Sequence, residues 1–469
     1  MSQGILRLVG VTISLFSLLV MPAVTASGQT NYTVLKSFSG ILDGKIPICT
    51  LVYGNDGVFY GTTAGGGISN YGTVFKVNTD GSSAVVLKSF VGADGLSPQA
   101  GLTLSTDGTL FGTTCNGGIS NLGTVFKLAR DGNDFAVLHG FTGGADGENP
   151  SVALIEGRDG ALYGTTKVGD YSTRGTIFKL NKDGTGYSIL HSFTGSPDGQ
   201  NPNGKLLEAS DGSLYGVTAA GGFIVRCLGT VFSLQKDGSD YTTLYSFQTT
   251  GGGGIVPSAG LVEGSDGVLY GTTSGGGSGF GGTVFRLNKD GSGYGVMRNF
   301  SNAAVSVGGD AYAPWSELVE GTNGALYGTT QFGSKGAGAV YKLNKDGSGY
   351  TVLRSFSGAG GDGDSPWGAL LLMANGVFYG TTAWGGGGIG CVFALSSMPL
   401  PPRVAALSAS GGTNLVQCSA TSGFQYDVQR STDLSSWSVL ATVASTNGGF
   451  NFSDSSPPQA AAFYRLLQH

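Results

Sequence analysis

The sequence predicts an all-β protein: a seven-bladed β-propeller of four-stranded blades closed by the N-terminal strand, plus a small C-terminal β-sandwich. Three observations predict it. A Leu-Tyr-Gly-Thr-Thr motif, plainest at Leu162-Tyr163-Gly164-Thr165-Thr166, recurs with its glycine at Gly61, Gly112, Gly164, Gly216, Gly271, Gly328 and Gly380, and a period near fifty residues marks a propeller or array. An aromatic and β-branched run ends in phenylalanine just as often, at Phe38, Phe90, Phe141, Phe193, Phe247, Phe300 and Phe356. Asp-Gly pairs separate the apolar runs, and these are strong hairpin signals.

Composition narrows the function classes. The 469 residues include 86 glycines, only 12% are charged, and the net charge is -5, so no basic surface is offered to nucleic acid. A hydrophobic content of 40% argues against disorder. The glycines therefore read as tight turns between short strands.

In chain order, Arg7 precedes an apolar run from Leu8 to Val20 and then small residues through Ser27. This predicts a secretory signal peptide over 1–28, cleaved near Ala26 or Gly28. A membrane anchor is the competing reading, but the run falls short of the roughly 20 residues a span needs. The mature chain is expected to be extracytoplasmic, with no transmembrane segment.

Residues 29–395 carry the repeats. Tyr32 to Phe38 is a strand by its aromatic and β-branched content. In the third repeat, a loop ending in Pro150 leads to strand A (Val152 to Glu156). The Asp159-Gly160 pair is expected to form a type I′ turn, with positive φ at both residues. Strand B (Leu162 to Thr166), a glycine-rich loop, strand C (Gly175 to Leu180) and a second Asp-Gly turn at Asp183-Gly184 follow, before strand D ends at Phe193. Four antiparallel strands make a propeller blade. Strand C is apolar on both faces, as at Val125 and Phe126, which suits a sheet stacked between two others. The chain starts with a lone strand D and ends its seventh repeat without one, so the N-terminal strand is expected to complete the last blade and remove two exposed edges. An open solenoid is the alternative.

Residues 396–403 are rich in proline and read as a linker. Residues 404–469 lack the repeat but keep strand-like runs, which predict a β-sandwich of the fibronectin type III or immunoglobulin kind. The five cysteines, Cys49, Cys115, Cys227, Cys391 and Cys418, show neither a disulfide framework nor zinc spacing. They read as small apolar fillers.

The combined pattern Asp-Gly-x-Leu-Tyr-Gly-Thr-Thr, then Gly-Thr-Val-Phe-Lys-Leu-Asn-x-Asp-Gly, resembles the choice-of-anchor tandem repeat GloVer family over Tyr32 to Leu395. The resemblance implies a secreted bacterial β-propeller with no established enzymatic activity and no catalytic residues to transfer. Members that end in a sorting signal carry a transmembrane helix and basic tail, and this chain ends instead in Phe463-Tyr464-Arg465-Leu466-Leu467-Gln468-His469.

Residues present in every repeat are explained by the repeat, so a site is sought where one repeat breaks the pattern. His139 and His191 share a strand D column with Lys36, Lys88, Tyr245, Arg298 and Arg354 and read as surface residues. No nucleophile triad or metal motif is assembled. No catalytic residue, metal or cofactor is expected. Asp43, Asp94, Asp146, Asp198 and Asp362 occur once per loop, which fits turn formation better than calcium ligation. Glu156, Glu208, Glu263 and Glu320 share a column and read as structural.

Strand A is expected nearest the axis. The position after its proline reads Ile48, Gln99, Ser151, Asn203, Ser258, Trp315 and Trp367, and two positions on the column reads Thr50, Gly101, Ala153, Lys205, Gly260, Glu317 and Ala369. Trp315, Trp367, Lys205 and Glu317 are the exceptions to small or neutral residues. A period of two places Trp315 and Glu317 on one side of a strand, and Trp384, in the B to C loop of the seventh repeat, is expected to join the two tryptophans at one mouth. The reading is an exported, monomeric binding or interaction scaffold for a glycan or a cell-surface or extracellular protein. The alternative is a carbohydrate-active hydrolase or lyase at the mouth of blades six and seven, for which Glu317 lacks the second carboxylate that such chemistry needs.

Overall fold

In a computed structural model, the described residues are 6–7, 31–168, 174–222, 228–248, 252–301, 311–396, 403–410, 412–419, 425–444, 449–458 and 462–468. Residues 8–28 of the expected leader and 397–402 of the expected linker lie outside them. The chain forms two compact units, Tyr32–Ala394 and a second made of Met1–Asn31 with Leu395–His469.

Within the larger unit the four-stranded antiparallel sheet recurs with each repeat. In the third repeat it comprises Ile155–Glu156, Leu162–Thr166, Thr176–Leu180 and Ser188–Ser192, hydrogen-bonded in that order. Among the described residues the sheet keeps four strands in five of the repeats, while the fourth and fifth repeats add short strands from their loops, and in the sheet of the seventh repeat Asn31–Ser37 lies beside Cys391–Ser396 as the outer strand. The N-terminal strand thus pairs in the sheet of the seventh repeat.

The repeated residues explain why the sheets stack. On strand C, Phe126 packs toward Tyr60 and Val74 of the preceding repeat, while its neighbour Val125 packs toward Leu154, Leu162 and Phe178 of the following one. Both are fully buried, so alternation on a strand serves two interfaces at once. The first threonine of the motif reaches the next repeat: Thr62 Oγ1 donates to the Ala100 carbonyl at 2.7 Å, and Thr381 Oγ1 donates to the Cys49 carbonyl at 2.8 Å. The latter contact joins the last repeat to the first. The second threonine pairs with the threonine opening strand C, as Thr166 with Thr176 at 2.8 Å. In the seventh repeat Cys391 takes that place, 3.2 Å from Thr382 Oγ1.

Gly164 shows why the motif needs glycine. A Cβ there would meet Phe178 Cζ at 2.5 Å and Leu154 Cδ2 at 2.6 Å. Gly164→Ala is therefore expected to destabilise the unit by about 1–3 kcal/mol through overpacking, read as a lowered midpoint in denaturant unfolding.

Two local expectations are corrected. The Asp159-Gly160 turn is not type I′, since Gly160 has φ 79° while Asp159 is absent from the positive-φ residues. Gly157 N–H donates to the Ala161 carbonyl, leaving a three-residue loop that closes through glycine. The same loop occurs at Lys182-Asp183-Gly184, where Asp183 Oδ1 accepts the Thr185 N–H at 2.9 Å and so caps the turn. Strand A is also shorter than expected. Only two residues pair in each repeat, as at Val319–Glu320 and Leu371–Leu372, and the segment after the proline makes its contacts sideways to neighbouring repeats instead.

The glutamate column proves to be a stitch between sheets. Glu263 binds Lys289 Nζ at 2.5 Å and accepts the Ser210 N–H of the preceding repeat at 2.7 Å. Glu208 and Glu320 repeat the arrangement with Lys236 and Lys345. Burial alone would raise the Glu263 carboxyl, but Lys289 and Ser210 together hold it below the usual range; Glu320 is lowered in the same way by Lys345 and Ser265. A depressed folded-state pKa stabilises the fold above the unfolded value, about 4.3 for glutamate, and this contribution is lost as pH falls through the folded value. Lys289→Met is expected to move the acid-unfolding midpoint upward, at a cost of about 1 kcal/mol or less near neutral pH, which a pH titration by circular dichroism checks.

In the smaller unit, Arg403–Ser410, Thr413–Ser419 and Gly449–Asp454 form one sheet, and Gln425–Ser431, Ser438–Ala444, Phe463–Gln468 and the short Leu6–Arg7 form another. Val404 and Val416 of the first share a core with Val428, Tyr464 and Leu466 of the second. A buried polar chain crosses it: Tyr464 donates to Asp454 at 2.6 Å, Asn414 donates to Tyr464 at 3.0 Å, and Arg430 pairs with Asp454 at 2.8 Å.

Candidate ligand-binding cavity

Inner segments of all seven repeats, each opened by a proline, line one cavity of about 960 Å³. Its wall takes the two positions after the proline that the sequence singles out, from Ile48 and Thr50 of the first repeat to Trp367 and Ala369 of the last. Seven of the fourteen are Gly, Ala, Ser or Thr, where neighbouring backbones approach closely, as at Gly101 and Gly260. The exceptions are large.

Trp315, Trp367, Lys205 and Glu317 all line this cavity. Trp315 is 40% exposed, and Trp367 is half-buried. The Glu317 carboxylate and the Lys205 backbone carbonyl close over the bare Cα of Gly260, which lies between them in the ring of segments. Burial pushes the Glu317 carboxyl above the usual carboxylate range, opposed more weakly by the Lys205 ammonium. Glu317 is the one carboxylate among the lining residues.

Trp384 does not join them. It begins the strand Trp384–Gly385, which pairs with Gly363–Asp364 in the loop before the inner segment, and it is not part of the cavity wall. The pairing holds it out from the axis, so the expected cluster of three tryptophans reduces to two.

Two further wall residues escaped the sequence reading. The position after the Leu-Tyr-Gly-Thr-Thr motif reads Ala64, Cys115, Lys167, Ala219, Ser274, Gln331 and Ala383, and both long polar exceptions, Lys167 and Gln331, line the cavity. The same column-break signal finds them. With Gln99, Ser151 and Asn203 they make one part of the wall polar, yet few of these groups are ionised. The Trp367 indole N–H and the Ser151 hydroxyl are buried and have no hydrogen-bond partner among the described residues.

The remaining candidates are structural. His139 stacks on Tyr187 with ring centroids 3.7 Å apart and bonds Asp146 at 3.0 Å; His191 repeats this with Tyr241 and Asp198. Asp43 and Asp362 likewise meet Lys36 and Arg354 and accept loop N–H groups. Cys49, Cys115, Cys391 and Cys418 are free and buried, and burial pushes the Cys115 thiol up to about 12 and the Cys391 thiol to about 11. They are held as unreactive thiols. Cys227 lies outside the described residues.

A family model described as the Gloeobacter/Verrucomicrobia repeat matches residues 23–194 and again 137–313. No curated protein matches the chain. Among solved structures, the chain is similar to the extracellular domain of a one-component system from B. thetaiotaomicron, with TM-score 0.53 and 11% identity over 94% of this chain and 55% of that one. The chain thus spans about half the length of that structure. It is also similar, with TM-score 0.47 and 14% identity over 84% of this chain and 98% of the other, to a protein from Bacteroides uniformis described as a 6-phosphogluconolactonase. A PQQ-bound aldose sugar dehydrogenase from Streptomyces coelicolor matches with TM-score 0.40 and 13% identity over 69% and 99%. At these identities the likeness concerns the fold alone, which is all-β and propeller-like.

Proposed function

The chain belongs to the Gloeobacter/Verrucomicrobia repeat family, and on that premise we propose that it is an exported, non-enzymatic binding protein that takes a saccharide into its axial cavity. Its architecture on this reading is a seven-bladed ring over 29–395, a linker over 396–403 and a sandwich-like module over 404–469, released from a leader over 1–28. Support for the ring comes from the contacts between the first and last repeats, among them Phe59 against Tyr379 with centroids 4.4 Å apart and Thr381 on the Cys49 carbonyl. No helix among the described residues is long and apolar enough to cross a membrane.

One observation carries the saccharide reading: the cavity wall breaks the repeat with two tryptophans beside polar side chains, most of them neutral. Aromatic faces cover the C–H faces of sugar rings, and amides and hydroxyls answer their hydroxyl groups. The alternative of a hydrolase or lyase draws on Glu317, whose raised pKa suits a general acid. Glycoside hydrolysis by paired carboxylates needs a second one, and Glu317 is alone in the described wall. A glycan-array screen of residues 29–469 beside the Trp315→Ala, Trp367→Ala double variant tests the proposal. Binding by the parent and not by the variant is expected; equal binding by both would sink it.

A further inference from the structure

Strand A carries a second departure from the repeat, at the far end of the same cavity. Its last paired position reads Tyr53, Leu104, Glu156, Glu208, Glu263, Glu320 and Leu372. In the four middle repeats the glutamate turns to a lysine and to the neighbouring sheet, as Glu263 does to Lys289 and Ser210, and none of these glutamates lines the cavity. The seventh and first repeats differ. There Leu371, Leu372 and Met373, with Val52 and Tyr53, form the wall instead.

The cavity therefore has two chemical regions. One carries Trp315 and Trp367 with Lys167, Lys205, Glu317 and the neutral polar side chains. The other is aliphatic apart from the Tyr53 ring and its neighbour Asn55. Val52, Tyr53, Leu371, Leu372 and Met373 are each only half-buried, and such surface gains free energy when an apolar group covers it. At about 960 Å³ the space lies near the upper end of the roughly 300–1,000 Å³ of small-molecule sites, so a sugar ring at one end leaves room at the other.

We infer that the ligand is an amphiphilic glycoside, whose saccharide meets the tryptophan end and whose alkyl or acyl chain lies against Val52, Tyr53, Leu371, Leu372 and Met373. This rests on the saccharide reading above and adds the apolar part. The replaced glutamate column supports it: at Tyr53 and Leu372 strand A presents apolar surface to the cavity, whereas the glutamates of the middle repeats and Leu104 of the second do not reach it.

Calorimetric titration with methyl, butyl, hexyl and octyl β-D-glucopyranosides, each below its micellar concentration, tests the inference on residues 29–469. Affinity should rise by about fourfold per buried methylene until the chain passes the apolar wall. In Leu372→Glu, which restores the residue of the middle repeats, the ratio of octyl to methyl affinity should fall toward one. Met373→Gln serves as a second, milder variant, and thermal melts of both establish that they fold. A flat series with measurable methyl glucoside binding overturns the inference and leaves the saccharide reading standing. Absence of affinity at every chain length also overturns it, and the glycan array then decides the saccharide reading by itself. A length dependence that neither variant reduces places the chain elsewhere and overturns it as well.

Discussion

Deleting Tyr32–Phe38 is expected to abolish cooperative folding of the larger unit. The deleted strand is the outer partner of Cys391–Ser396, and its loss leaves that strand as an unpaired edge open to aggregation. Phe38, 1% exposed, packs on Phe75 of the first repeat at 5.0 Å between centroids, while its N–H and carbonyl bond Gly390 and Ile389 of the last. Tyr32 contacts Phe356 and Phe393 at 5.7 Å each and lies under the Arg354 guanidinium at 4.3 Å. Truncating one buried aromatic to alanine costs about 3–5 kcal/mol. Two such losses, with a strand of hydrogen bonds, approach the roughly 5–15 kcal/mol by which domains are stable. Calorimetry of the deletion should show no single transition, and size-exclusion chromatography should show aggregates, whereas Phe38→Ala should keep one transition at a lower temperature. A deletion that melts like the parent would mean that the strand contributes nothing to closure.

The Trp315→Ala, Trp367→Ala double variant is expected to lose at least tenfold in affinity for any glycan the parent binds. Truncating a central aromatic anchor costs about 2 kcal/mol or more, and each 1.4 kcal/mol is about tenfold. Stability should change much less than binding. Trp315 is 40% exposed, so part of its ring faces the cavity rather than the packed interior, and removing the Trp367 indole takes away an unpaired donor rather than creating one. Titration calorimetry beside a thermal melt separates the two effects. Unchanged affinity would assign both rings to filling space at the axis.

What was legible in the sequence follows from how each feature is specified. Strand order, the stacking of sheets through Val125 and Phe126, and the use of Tyr32 to Phe38 in the last sheet are written in columns that recur, and repetition exposes them. The wall residues Trp315, Trp367, Lys205 and Glu317 were legible because each breaks its column. Lys167 and Gln331 break their column in the same way, at the position after the Leu-Tyr-Gly-Thr-Thr motif rather than on strand A. Trp384 was misplaced because a loop position does not reveal its partner: only the pairing with Asp364 shows that it stands away from the wall.

By itself, then, the sequence determined the all-β class, the repeating four-stranded sheet and the family, since these depend on local period, turn residues and burial on both faces of a strand. Only the tertiary structure decided that the Asp-Gly loops have three residues, that strand A shrinks to a pair, and that the polar and apolar ends belong to one cavity. Those outcomes depend on backbones from different repeats meeting around an axis. Such meetings are set by packing between segments some fifty residues apart, which no local period encodes.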